Sequence, residues 1–276
     1  MIRKPAVAGH FYPADPKKLE EELRRCLAGT PPSTTAPKKK AIGIVAPHAG
    51  YKYSGAVAGC LYRQIELPRR FIILSPNHTG HGKPFSIMPR GHWEMPLGPA
   101  SIDEPLASRF MKNCPFLEED TGAHAAEHSL EVQIPFLQYL KKDFSFVPVT
   151  LSYIPFEHCR LVGEALTTTI QETLKESPEP ILIIASSDMN HYESQQIAER
   201  KDKLAIDKIL ALDPQGLYET VRKERVSMCG IIPTTVMLAA ARRLGATRAE
   251  LVQHATSGDV TGNHSSVVGY ASLIVA

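Results

Sequence analysis

Paired cysteines are missing from this chain. Its five, Cys26, Cys60, Cys114, Cys159 and Cys229, are an odd number with no C-x-x-C among them, which supports neither a disulfide framework nor a cysteine-rich zinc module. The first four read as small buried hydrophobes. No stretch approaches the roughly 18 uninterrupted apolar residues that a membrane-spanning helix needs. An excess of one charge is also lacking: Lys plus Arg number 31 against 29 Asp plus Glu, a formal net charge of +2. That balance gives no electrostatic footprint for nucleic acid or an anionic membrane. The opening Met1-Ile2-Arg3-Lys4-Pro5 does not lead into the continuous apolar segment of a secretory signal, so a cytoplasmic location is expected. Internal repeats and low-complexity tracts are absent too.

The 276 residues are 43% hydrophobic and 22% charged, an ordinary globular composition that can bury a sizeable core in one domain spanning residues 1–276. Ala41 to Ala46 and Phe71 to Ser75 are short apolar runs of strand length, each stopped by a proline, Pro47 and Pro76. Between them Ser54 to Ile65 has helical spacing, so the first unit is a strand–helix–strand crossover. Further helices are expected over Asp15–Leu27, Glu104–Asn113, around Ser129–Lys142 with a break or start near Pro135, and over Phe156–Lys175. Three more are expected over Gln195–Leu212, Pro214–Lys223 and Ile232–Leu244, the last capped by Gly245. Strands are expected over Phe144–Leu151, Pro180–Ser186, Glu250–Ala255 and Val267–Val275. Gly29 to Lys40, rich in Gly, Pro, Ser, Thr and Lys, reads as a surface loop. The alternation predicts an α/β fold with a mixed or mostly parallel central sheet flanked by helices.

What the chain has in excess is histidine, 11 in all, the commonest metal ligand and the usual proton carrier near neutral pH. In open α/β sheets ligands collect at the carboxyl ends of the strands. Three loops at such ends carry a histidine each: Ala46-Pro47-His48-Ala49-Gly50-Tyr51, Ser75-Pro76-Asn77-His78-Thr79-Gly80-His81 and Ser186-Ser187-Asp188-Met189-Asn190-His191-Tyr192. One such histidine is more often a packing or capping residue. Three at equivalent positions favour a site, because loop residues are not needed to fill the core. Two histidines plus one anionic ligand is an arrangement that leaves positions open on a non-haem metal. For the third ligand the spacing leaves Asp188, Glu127, Glu131 and Cys229 open. Cys229 precedes a helix, where backbone N–H groups and the helix dipole are expected to lower its pKa. His10, His81 and His264 are candidates to support such a site, and His92, His124, His158 and His254 take ordinary structural roles. The few charges in these loops argue for a small ligand rather than a polyanion.

Six ordered segments together resemble the Memo family: Arg3 to Pro13, Ala46 to Tyr51, Glu127 to Glu131, Ser186 to His191, Cys229-Gly230 and Ser265 to Tyr270. Memo proteins are similar in fold to class III extradiol ring-cleavage dioxygenases, whose iron is held by two His and a carboxylate. The resemblance implies metal ligation by His48 and His78, with Cys229 where the dioxygenases have their carboxylate. It implies that Asp188 and His191 line the pocket, with His191 as acid/base, that His128 is a further pocket group, and that Glu127 or Glu131 orients neighbours. A thiolate ligand shifts metal preference toward copper, zinc or a differently tuned iron. The activity so implied is an iron- or copper-dependent oxidoreductase acting on a small substrate. A zinc-dependent hydrolase and a non-catalytic metal- or ligand-binding protein are the alternatives. Microbial members are also associated with a radical-SAM protein and an AMMECR-type protein, which are therefore possible functional partners.

Overall fold

The computed structural model describes residues 1–28 and 37–276. Most of the expected loop, positions 29–36, lies outside the described residues. Among the described residues twelve strands form one sheet: β1 Ile2–Arg3, β2 Gly43–Ala46, β3 Arg70–Pro76, β4 Phe85–Ile87, β5 His92–Trp93, β6 Ala100–Ile102, β7 Glu118–Glu119, β8 Ser145–Leu151, β9 Ile181–Ser186, β10 His191–Glu193, β11 Ala249–Thr256 and β12 Val267–Val275. The helices are α1 Pro16–Ala28, α2 Tyr51–Gln64, α3 Glu104–Asn113, α4 Gly122–Ala125, α5 Ile134–Leu140, α6 Phe156–Glu176, α7 Gln195–Leu210, α8 Pro214–Lys223, α9 Ile231–Arg243 and α10 Gly258–Thr261, with a 3-10 turn at Glu131–Gln133.

The core strands β2, β9, β3 and β8 lie side by side and parallel, and β12 joins β2 antiparallel, so the sheet is mixed around a parallel centre. Every residue of β9 is buried, as the continuous Ile-Leu-Ile-Ile run requires of a strand covered on both faces. Alternate side chains enter two separate cores. Val45, Ile72, Val147 and Ile183 face α3, α6, α8 and α9, while Ile44, Ile73, Phe146 and Ile184 face α1, α2 and α5. Each fully buried Ile or Leu of these strands contributes about 1.5–3 kcal/mol. In α9, Ile231 through Ala241 are all buried, because this helix lies between β3 and β9 on one side and α6 and α8 on the other.

Chain order makes the site. From β2 the chain crosses through α2 to β3, passing over the position that β9 later fills, goes outward to β8, and returns through α6 to β9. Opposite directions of travel require helices on opposite faces if both crossovers are right-handed, and the two cores show that division. The point where the direction reverses is where an open α/β sheet leaves a crevice above its carboxyl ends. Ala46, Pro76 and Ser186 end their strands there, so the loops carrying His48, His78 and Asp188 converge.

The helix and strand expectations match this architecture with end shifts of at most three residues. The expected helix around Ser129–Lys142 is a 3-10 turn running into the short α5, in which Pro135 occupies the first turn. Gly245 follows α9 with φ +96°, as its expected capping role demands. The short strands β4 to β7 and β10 carry no periodic signal in the sequence, since two or three residues are too few to show one.

Candidate metal centre

Three imidazoles meet at the carboxyl edge. Ring centroids of His48 and His78 are 5.2 Å apart, those of His48 and His128 5.6 Å, and His78 stacks on His128 at 4.6 Å. One ligand atom from each of these three lies within 4.8 Å of the others, so the group could hold a metal ion. Among the described residues it is the one such group of three or more donors. His48 is buried, His128 is half-buried and His78 is exposed.

The ring tautomers follow from their partners. Ser186 Oγ lies 2.6 Å from Ser129 O, which can only accept, so the hydroxyl proton points there. Gln133 Nε2 donates to the same Oγ at 2.8 Å, and His48 Nδ1, at 2.9 Å, must donate as well. His48 Nε2 therefore carries the lone pair. His78 Nδ1 meets Glu127 Oε1 at 2.8 Å, so it too is the protonated nitrogen and leaves Nε2 free. Such carboxylate–histidine pairs fix ring orientation and raise ligand basicity at metal sites. His191 repeats the pattern: Nδ1 donates to Ser227 O at 2.8 Å and the backbone N–H to Ser227 Oγ at 2.7 Å. Ser227 is in turn held by Asn190 Oδ1, which accepts from its N at 3.0 Å and its Oγ at 3.1 Å.

Burial, reinforced by the neighbouring imidazoles, keeps His48 well below the ordinary histidine range. Burial lowers His128 too, against the pull of Glu127. Neutral imidazole is the form that binds metal. Burial works against ionisation of Glu127, but hydrogen bonds from His78 and Ser129 win and hold it at about 2. Asp188 is pushed up to about 6 by burial, which the backbone N–H of His48, 2.7 Å from Oδ1, only partly offsets.

Cys229 sits beside His48 and outside the three-imidazole group, with Sγ 3.2 Å from His48 Nε2 and 3.2 Å from the Asp188 N–H. Because Nε2 is unprotonated, the thiol donates to it. Gly230 allows this approach: a Cβ there would fall 2.3 Å from Ser187 Cβ and 2.4 Å from Ser186 O. The expected lowering of the Cys229 pKa is reversed. Burial pushes the thiol up and the Asp188 carboxylate adds to it, and the N–H groups at the helix start do not compensate.

All six site residues singled out from the sequence, His48, His78, His128, Asp188, His191 and Cys229, line one cavity of about 920 Å³. His10 lines it as well, whereas His81 and His264 do not. Glu131 is turned away, accepting from Arg3, Tyr12 and the N–H groups of Ala6 and Val7; of the two glutamates, Glu127 is the one that orients a histidine. Sequence reasoning missed Ser129, Gln133, Ser186 and Ser227. Ser129, Gln133 and Ser186 are buried and Ser227 is exposed, and only the fold shows which rings they touch.

A family profile described as "Memo-like protein" matches residues 3–274. A MEMO1 family protein of Methanopyrus kandleri is 42% identical over 99% of both chains, and one from Methanothermobacter thermautotrophicus is 43% identical over 99% of this chain and 100% of its own. The crystal structure of an uncharacterized protein from Escherichia coli K12 is similar with a TM-score of 0.51 at 13% identity, covering 84% of this chain and 98% of that one, which bears on the fold alone. No helix among the described residues is long and apolar enough to cross a membrane. With a family profile spanning residues 3–274 and relatives 42–43% identical over 99% of its length, the chain belongs to the Memo-like protein family.

Proposed function

We propose that the protein is a metal-dependent, dioxygenase-like oxidoreductase acting on a small molecule, with iron or copper at His48, His78 and Cys229. The observation that carries this reading is the shared tautomer: His48 and His78 each commit Nδ1 to a fixed acceptor and keep Nε2 unprotonated. The donor set of two imidazoles and one soft thiol fits such an ion. When bound, the ion would supply a Lewis-acidic, redox-active centre. The chain's own residues do the rest. Glu127 and Ser186 hold the two ligand rings, and the Cys229 proton, donated to His48 Nε2, must leave before sulfur can ligate. His191, its Nδ1–H tied to Ser227 O, offers Nε2 to take a proton from a substrate donor and return it. Asp188 and His128 complete the polar floor.

One observation favours a second reading. His128 stands as close to His48 and His78 as metal ligands require, and with Cys229 it would complete four protein donors. A saturated ion is the pattern of structural zinc, so the alternative is a metal-holding protein that works through partners, radical-SAM and AMMECR-type proteins among them. A zinc-dependent hydrolase would need His128 to stay off the metal.

Metal analysis after anaerobic purification of wild type, His48→Ala and Cys229→Ser tests the assignment. Bound iron or copper that is lost in both variants supports the first reading, together with oxygen consumption that disappears in His191→Ala while metal stays. Zinc alone, lost in both variants and in His128→Ala and without redox turnover, favours the second. Unchanged metal in both variants overturns the site.

A further inference from the structure

Asp202 is a buried acid that the proposed chemistry leaves unused. It stands on α7 with its side chain 0% exposed, and it lines no part of the histidine cavity. Among the described residues its one ion-pair partner is His254 of β11, whose Nε2 lies 2.8 Å from Oδ2. The other oxygen, Oδ1, accepts from the Asn190 backbone N–H at 2.8 Å. A carboxylate sealed from water with neither Lys nor Arg on it is costly to bury, so these two donors are what hold it. The neighbouring strand makes room for it. A Cβ at Gly269 of β12 would fall 1.9 Å from Asp202 Oδ2. The backbone of that same glycine clasps the His191 loop, its carbonyl accepting from Met189 N and its N–H donating to Asn190 O, both at 2.8 Å.

From Asn190 the contacts run on into the cavity. Asn190 Oδ1 accepts from Ser227 N and Oγ, and Ser227 O accepts the His191 Nδ1 proton. Four segments of the fold are thus tied in one line: β11 through His254, α7 through Asp202, and the two loops that carry Asn190 and Ser227. The backbone beyond His191 needs such anchoring. Tyr192 has φ +61° where the register of β10 against β12 shifts, and a non-glycine residue keeps that left-handed conformation only where its surroundings over-determine it. Asn190 N, held by Asp202, and His191 N, held by Ser227 Oγ at 2.7 Å, fix the chain on the approach to it. His254 is the open end of the line. Its side chain is 22% exposed and lies outside the cavity wall.

We infer that Asp202 and His254 are positioning residues for His191, fixing the orientation and tautomer of that ring from outside the cavity. This role deepens the proposed function and rests on the reading of His191 as acid/base, but chelator-treated protein tests it without metal or turnover. Hydrogen exchange of the Asn190 amide and the ¹⁵N signals of the His191 ring are followed in Asp202→Ala, His254→Ala, Asp202→Asn and His254→Gln. In both alanine variants the Asn190 amide should exchange about tenfold faster, and the ring should show both tautomers in place of Nδ1–H alone. Asp202→Asn keeps an acceptor and His254→Gln keeps a donor, so each should restore the wild-type ring. An equal acceleration at the Ile183 amide, in the central strand β9, would mean that only global stability is lost and overturns positioning. An unaltered ring in either alanine variant overturns the assignment of that residue, and a ring disturbed as much in the conservative variants overturns the hydrogen-bond line. If Asp202→Ala does not fold, His254→Ala, at a partly exposed position, decides. Each of these failures leaves the metal reading standing, because the contacts of His48, His78 and Glu127 are untouched, and a redox-silent protein can still pass.

Discussion

Two carboxylates of nearly equal burial, Glu127 at 1% and Asp188 at 5% exposure, adjoin the two strand-end histidines and are perturbed in opposite directions. Glu127 accepts from His78 N and Nδ1 and from Ser129 N and Oγ. Asp188 accepts from backbone N–H groups of His48 and Ala49. Burial raises both, so the difference is made by donors: side-chain donors on Glu127 hold it at about 2, and Asp188 without them stands at about 6. Glu127 is thereby fixed as an anion that orients a ring, while Asp188 can change charge near neutrality. One side of the site is built to be rigid and the other to respond.

Substitution of the rings that the carboxylates serve should have the largest effect. His48→Ala and His78→Ala should each abolish stable metal binding, read as metal content falling from about one ion per chain to near zero; retention in either variant removes that ring from the site. Next comes the rigid side. Glu127→Gln places an amide N–H against donors that now point at a carboxylate oxygen, at a cost of about 1–3 kcal/mol in stability. Metal affinity should fall about 10- to 100-fold through the loss of His78 orientation. Denaturant unfolding and competitive chelation measure the two, and full affinity in the variant would show that the pair does not orient the ring.

The responsive side should give a smaller, pH-dependent effect. The folded pKa of Asp188 lies above its unfolded value of about 3.9, so ionisation costs stability above about 6 and that cost is relieved as pH falls toward 4. Glu127, with a lowered folded pKa, has the reverse sign: its stabilisation is present above about 4.3 and is lost as pH falls toward 2. Chelator-treated wild type should therefore gain stability between pH 7 and pH 5 relative to Asp188→Asn. Parallel stability curves for the two proteins would contradict the assignment.

The same contrast shows how much the sequence could disclose. His48, His78 and Asp188 were legible because each follows a short apolar run that a proline or serine ends, and strand ends are where an α/β sheet gathers its chemistry. The parallel centre of the sheet followed from the alternation of elements. That Glu127 pairs with His78, 49 positions away, depends on a loop folding back over the carboxyl edge, and no local pattern encodes that. For Cys229 a local rule misled. The helix start predicts a lowered thiol pKa, but burial beside Asp188 outweighs a few N–H groups, and burial of a single side chain is a tertiary property.

The smallest effect should come from the His191 arm, which touches neither carboxylate. Asn190 Oδ1 holds Ser227, and Ser227 holds His191 through its Oγ and its carbonyl. Asn190→Ala removes two hydrogen bonds to Ser227 and one from Nδ2 to Glu193 at 2.6 Å, and leaves the His48, His78 and Glu127 contacts intact. Metal content should be unchanged and the melting temperature should drop by about 2–4 °C, the equivalent of about 1 kcal/mol in a chain of this size. The ¹⁵N signals of the His191 ring should report both tautomers where the wild type shows Nδ1–H alone. If the wild-type tautomer persists in the variant, the Ser227 carbonyl is held by its own backbone and the arm does not depend on Asn190. If metal is lost as well, the two sides of the site are coupled and the division between rigid and responsive halves fails.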